Sequence, residues 1–412
     1  MRCQTNTIMQ LGWIDFSDTD RKKALGILTM MDEEGAVDEI GIGRIRDAFA
    51  NIFFPGTSTI MTRAKYYFIV PYAFKDALAN RNLTKYKEII KEVEDGIERK
   101  CAEKMLKKNP GSGNGIIGAR SLARGEWVSR KPSSIYWNAL RTVGMFTYEN
   151  ISTIESYVKV ALANRDNIID KTSKSDDEED DRDDSDAFHR KMKPFWNLPE
   201  GGYNKRWITD ISIDLTFDEA EFLRNQISTR YQDTLFKVML DNNIRLPERM
   251  FFGDATELFF NIVSPRNQHL ITLANKVNLL VYMIRVRYNK MLTRGLNQNV
   301  LDAWEDLKNE TEYFADLDIR QMMYELKVYD TLTRIFLESA KTLLLEKRID
   351  ELDRLIYQRE VALKGQRSKL AKANEYDPKS LVADYWLDFR MNTARIIIND
   401  ILDAEQRNEN NI

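Results

Sequence analysis

Cysteine and histidine are scarce in this 412-residue sequence: two of each, at Cys3, Cys101, His189 and His269. Two cysteines cannot build a disulfide framework, and no CxxC or Cys/His cluster is present to hold structural zinc. Two histidines exclude a His-rich metal centre and argue against Ser-His-Asp or Cys-His chemistry, so no metal and no cofactor is expected. Long apolar runs are missing as well. The best stretch, Leu279 to Ile284, is hemmed in by Lys276 and Arg285 and falls far short of the roughly 18 residues a spanning helix needs. No basic segment followed by an apolar one stands at the N-terminus, so a cytoplasmic protein without a membrane partner is expected. There is no repeat of fixed period. Charge of one sign is also lacking, since 61 Lys+Arg against 64 Asp+Glu leave a net of -3, which taken whole points to neither nucleic acid nor a membrane surface.

What is present is helical patterning. Apolar residues at helical spacing, with N-cap and breaker signals, predict helices over 42–53, from Thr57 or Ser58 onward, and over 83–108, 119–124, 133–143 and 151–164. Ser17-Asp18-Thr19-Asp20 and Thr216-Phe217-Asp218-Glu219 resemble capping boxes. Further helices are predicted over 218–228, 232–242, 256–262, 266–291, 297–309, 318–329, 330–345, 351–373 and 382–402, with partial alternation at Trp207 to Ile213 suggesting one strand. Asp176 to Asp186 packs nine carboxylates around one arginine, and blocks of like charge repel and stay solvated. The expected organisation is therefore a mainly α chain: a basic, helix-turn-helix-like, possibly winged part over 1–170, an acidic linker or loop over 171–187, and a helical interaction domain over 188–412.

The near-zero net charge conceals a strong asymmetry. Between Arg99 and Arg141 ten bases face two acids, a local net of +8. Within that window a short helix carrying Arg120 and Arg124, a turn with Arg130 and Lys131, and a helix opened by Pro132-Ser133-Ser134 follow one another in helix-turn-helix order. Ser133, Tyr136, Asn138 and Arg141 on the second helix are candidates for phosphate or base-edge contact. A similar arrangement precedes it, where Phe54-Pro55-Gly56 leads into Thr57 to Tyr67. There Thr59, Thr62, Arg63 and Lys65 gather at a helix start, where free amides and a positive helix end suit phosphate.

Catalytic patterns are weaker. Gly111-Ser112-Gly113-Asn114-Gly115 lacks the lysine and spacing of a phosphate-binding loop. Asp316 or Asp318 with Glu325 and Lys327 imitates a nuclease grouping, but on a helical pattern, where a solvated face is the plainer reading. His189-Arg190-Lys191 matches the HxK of phospholipase-D-like phosphodiesterases; Trp196 stands where that pattern has an acid, and no second HxK exists. A nuclease, metal-dependent or phospholipase-D-like, is the alternative function. A second alternative is a protein-interaction scaffold whose acidic loop covers the basic window.

Gly12-Trp13-Ile14-Asp15-Phe16-Ser17, the run Val37 to Asp47, Phe54 to Ser58 with Thr62 to Tyr66, and Pro132 to Trp137 together resemble a prokaryotic family classified only as a domain of unknown function. Members of that family often neighbour helicase genes in anti-phage defence islands. The resemblance implies a context and supplies no catalytic residue. The expectation is a non-catalytic, DNA-contacting or scaffold subunit of a multi-gene defence complex, partnered by a helicase or nuclease subunit.

Overall fold

A computed structural model describes residues 40–108, 115–165, 193–204, 206–248 and 250–409. The acidic block 176–186, the HxK at His189, the capping box at Ser17 and residues 111–114 of the glycine-rich stretch lie outside them. Among the described residues the chain is helical, and no strand forms beyond an isolated antiparallel bridge between Phe146 and Trp196.

Two buried helices organise the fold. The first, α2 (Tyr66–Ala79), follows α1 (Gly43–Phe53) and is buried at every position from Tyr66 to Phe74, Pro71 included. A helix apolar on all sides must be surrounded. Its neighbours are a continuous helical stretch made of α3 (Tyr86–Lys91), a π-helical turn (Glu92–Ile97) and α4 (Glu98–Lys108), and the helix α6 (Pro132–Thr142). Between α4 and α6 lies α5 (Ala119–Leu122), and α7 (Ile154–Ala163) packs on α3. The helix expected from Thr57 begins only at Tyr66, because residues 57–65 are taken up in turns and side-chain contacts.

The second organiser is α11 (Pro265–Leu292), 28 residues long and buried at every position from Val277 to Asn289 except Tyr282. Of the helices in this part of the chain, α10 (Phe252–Glu257), α12 (Gln298–Leu307) and α15 (Ile349–Lys364) pack on it, and the others are α8 (Phe217–Arg230), α9 (Leu235–Asp241), α13 (Ile319–Glu325), α14 (Thr331–Leu345) and α16 (Met391–Glu409). The capping box at Thr216 forms as the sequence predicts: Glu219 N–H donates to Thr216 Oγ1 at 3.2 Å and Thr216 N–H to Glu219 Oε2 at 2.9 Å.

Two further expectations are corrected. Trp207 to Ile213 is no strand; the Trp207 indole donates to Asp76 Oδ2 at 2.9 Å and its ring packs on Tyr72, so the aromatic is used as a plug. The helix expected from Val382 starts at Met391 instead. Asn278 and Asn289 of α11 each exchange two hydrogen bonds with the backbone of Leu387 and Val382 respectively, at 2.7 to 2.8 Å. Eleven residues of helix rise about 16 Å, a distance that five residues cover only near full extension, so residues 382–387 are drawn along α11 and cannot coil.

The boundary expected at 171–187 falls outside the described residues, and on either side of it the chain contributes to one continuous core. Phe49 and Phe53 of α1 meet Phe389 and Phe252 with ring centroids 5.2 and 5.4 Å apart. Phe54 meets Phe236, and Phe74 meets Trp196.

Candidate nucleic-acid interface

The start of α2 does attract an anion, and the chain supplies it. Ala64 N–H donates to Asp400 Oδ2 at 2.7 Å, and Arg63 Nε reaches both Asp400 oxygens at 2.8 and 3.0 Å. Arg63 Nη2 also meets Asp214 Oδ1 at 2.8 Å. Burial lowers the Arg63 pKa, but the two carboxylates outweigh it and hold the guanidinium above its ordinary range. Burial pushes the Asp400 carboxyl up, while Arg63 and the Ala64 amide pull it back. Thr62 and Arg63 N–H groups donate to the Tyr136 hydroxyl at 2.9 and 3.1 Å, and that hydroxyl donates to Arg63 O at 2.8 Å. Thr62 Oγ1 donates to Gly115 O. Lys65 Nζ is locked between the Glu219 oxygens at 2.8 and 2.6 Å, with side-chain exposures of only 10% and 5%. Of the four positions singled out here, Thr59 alone is exposed. Lys65 and Tyr136 are internal, and the polar groups of Thr62 and Arg63 are engaged within the fold.

The second arrangement is similar. The N-terminus of α6 is closed by Glu98 of α4, whose Oε1 accepts from Ser133 N–H at 2.7 Å while Oε2 takes the Ser133 hydroxyl at 3.4 Å. Ser133 and Glu98 are both buried; burial drives the Glu98 carboxyl well above the usual carboxylate range, although its Ser133 contacts oppose this. A helix end already occupied by an internal carboxyl offers no phosphate site. Lys131 pairs with Asp95 at 2.7 Å and lies over the Trp127 ring. Arg124 stands 3.7 Å from Glu126, both side chains 68% exposed. Arg141 donates to Glu149 O, Arg130 is partly buried and engaged, and Arg120 and Asn138 are exposed. The first helix of the expected pair, α5, is a single turn, because Gly118 before it (φ +86°) and Gly125 after it (φ +78°) take left-handed backbone. Gly118 is also needed for space, since a Cβ there would stand 2.4 Å from the Trp127 ring.

The uncompensated charge of the window lies one helix away. Glu98, Cys101, Ala102 and Met105 form the buried side of α4. Lys100, Lys104 and Lys107, at spacings of four and three, share its outer side. Arg120 of α5, which packs on α4, adds to them. Among the described residues none of these four cations has a carboxylate within ion-pair distance. The sequence expectation counted the lysines within the +8 window but placed the contacts before α2, on α5, in the turn at Arg130 and Lys131, and on α6; the i, i+4, i+7 spacing is the signal that marks the face.

The catalytic groupings are dispersed. Asp316 is held by Lys276 at 2.6 Å, Asp318 caps α13 through Gln321 N–H at 2.8 Å, and Glu325 meets His269 Nε2 at 3.0 Å. The three carboxylates thus answer three separate partners. Among the described residues no group of three or more His, Cys, Asp or Glu converges on a point able to hold a metal ion, and no helix is long and apolar enough to cross a membrane.

A family model described as a family of unknown function (DUF6361) matches residues 8–188, so the N-terminal part of the chain is similar to that family. No curated protein and no solved structure matches the chain.

Proposed function

We propose that this chain is a non-catalytic subunit that holds nucleic acid by its phosphate backbone on the outer face of α4 and α5. The observation that carries the reading is the outer side of α4, where Lys100, Lys104 and Lys107 stand without carboxylate partners among the described residues, with the exposed, likewise unpaired Arg120 on α5, which packs on α4. Such a face neutralises phosphates without reading bases, so it predicts sequence-independent binding that weakens with salt. Thr59, Arg124 and Asn138 remain as flanking contacts from the helix-turn-helix expectation. The C-terminal helices would dock a protein partner. Tyr324, Tyr329 and Leu332, at 71%, 77% and 71% exposed, give α13, the start of α14 and the connection between them apolar side chains suited to it. The resemblance of the N-terminal motifs supports reading that partner as a helicase or nuclease subunit of an anti-phage defence complex.

The test is fluorescence anisotropy of labelled duplex across a salt series, with the full chain and with Lys100→Glu/Lys104→Glu/Lys107→Glu. Each lost phosphate contact should flatten the slope of log K against log salt by about 0.9, so the triple variant should lose between two and three units of slope. Salt-insensitive binding, or none by the chain alone and by the complex that copurifies with it, would end this reading.

A further inference from the structure

A cleft of about 210 Å³ opens where the C-terminal ends of α6 and α8 meet, lined by Arg141, Thr142, Phe146, Tyr148, Glu149 and Arg230. Two guanidiniums share it with one carboxylate. Glu149 is 87% exposed and stands 3.9 Å from Arg230 Nη2, at the limit of an ion pair. Arg141 has no carboxylate partner among the described residues; one Nη2 bond to Glu149 O, at 3.1 Å, holds its fork in place. Its Nε–H is buried and meets no acceptor. Each arginine stands in the last turn of its helix, where a cation offsets the negative helix end. That accounts for the two charges as helix ends, and it leaves the Nη groups of both forks as the donors that face the cleft. The backbone also makes room for Arg230: Gly144 takes φ +80°, and a Cβ there would stand 2.5 Å from Arg230 Nε.

We propose that this cleft binds a phosphomonoester group, either as free phosphate or as the terminal phosphate of a nucleotide or nucleic-acid end. Paired guanidinium forks match the oxygens of a tetrahedral dianion and supply several charge-assisted hydrogen bonds. The hydroxyls of Thr142 and Tyr148 already donate to Asn138 O and Lys193 O, so recognition falls to the arginines. Pockets that enclose whole organic ligands run from about 300 to 1,000 Å³, so this smaller cleft suits the phosphoryl group and leaves the attached molecule outside. The site is separate from the α4–α5 face, and its failure or success leaves that reading untouched.

The test is calorimetric titration of the full chain, in phosphate-free buffer, with inorganic phosphate and with 5′-phosphorylated and 5′-hydroxyl forms of one oligonucleotide. Phosphate should bind saturably, and Arg141→Gln/Arg230→Gln should weaken it by about tenfold or more. Glu149→Gln, which removes the one carboxylate among the described residues that line the cleft, should tighten phosphate by roughly threefold to tenfold, a gain that misfolding cannot imitate. Preference for the phosphorylated end assigns the site to nucleic-acid termini, whereas equal binding of both ends alongside retained phosphate binding assigns it to the small ion or a nucleotide. No saturable phosphate binding by the unaltered chain, or an affinity unmoved by the double variant or by Glu149→Gln, overturns the proposal.

Discussion

The start of α2 and the outer face of α4 carry the same residue types and reach opposite ends. At α2, Arg63 and Lys65 are surrounded by Asp400, Asp214 and Glu219, and they tie the first helices to α8 and α16. On α4, Lys100, Lys104 and Lys107 look outward with no such partners among the described residues. A basic side chain at a helix start and one on a helix flank read alike in sequence; what separates a strut from a contact surface is whether the fold delivers a carboxylate. The difference also bears on energy. A buried pair cannot lose one member cheaply, whereas an exposed cation can be reversed with little effect on folding.

Lys65→Met should break the comparison hardest. It leaves Glu219 buried and unpaired, and chemical denaturation should register a loss of about 3–5 kcal/mol. Adding Glu219→Gln, which keeps the capping pattern at Thr216, should recover much of that loss; if it recovers none, the pair is not what holds α2 to α8. Glu98→Gln acts on the second internal site through pH. The folded state raises the Glu98 pKa above its ordinary 4.5, so its contribution is fully present below 4.5 and is lost as pH rises through the folded value. Over that window stability should fall by up to about 1.4 kcal/mol per pH unit, and Glu98→Gln should flatten the fall. Identical pH profiles for the two chains would show that Glu98 is not held neutral. Tyr136→Phe strips the acceptor from two amides and should cost about 1–3 kcal/mol, measured by thermal unfolding. The α4 triple variant should sit at the other extreme, within about 0.5 kcal/mol of the unaltered chain while its nucleic-acid affinity drops. A large stability loss there would mean that this face, too, is structural.

Much of the helical frame was legible because it rests on local rules. The run 266–291 was readable from its apolar spacing, and α11 spans Pro265–Leu292; Thr216 and Glu219 announced the start of α8. The misreadings come where distant groups capture a segment. Residues 382–387 have helical spacing but are drawn out by Asn278 and Asn289, and Trp207 alternates like a strand residue but serves Asp76. The site divides in the same way. The +8 window and the helix face of its lysines are properties of neighbouring residues. The fate of Arg63 is not.

By itself, then, the sequence determined a mainly helical chain, the faces its helices bury, and where positive charge gathers, since those follow from spacings of three and four residues and from caps a few positions long. Only the tertiary structure decided which of those charges are consumed. Asp400 lies 337 positions beyond Arg63, and nothing short of packing α16 against α8 and the start of α2 could bring them to 2.8 Å. Electrostatic pairing acts over a few ångströms of space, and local patterning does not record which distant residues will come that close.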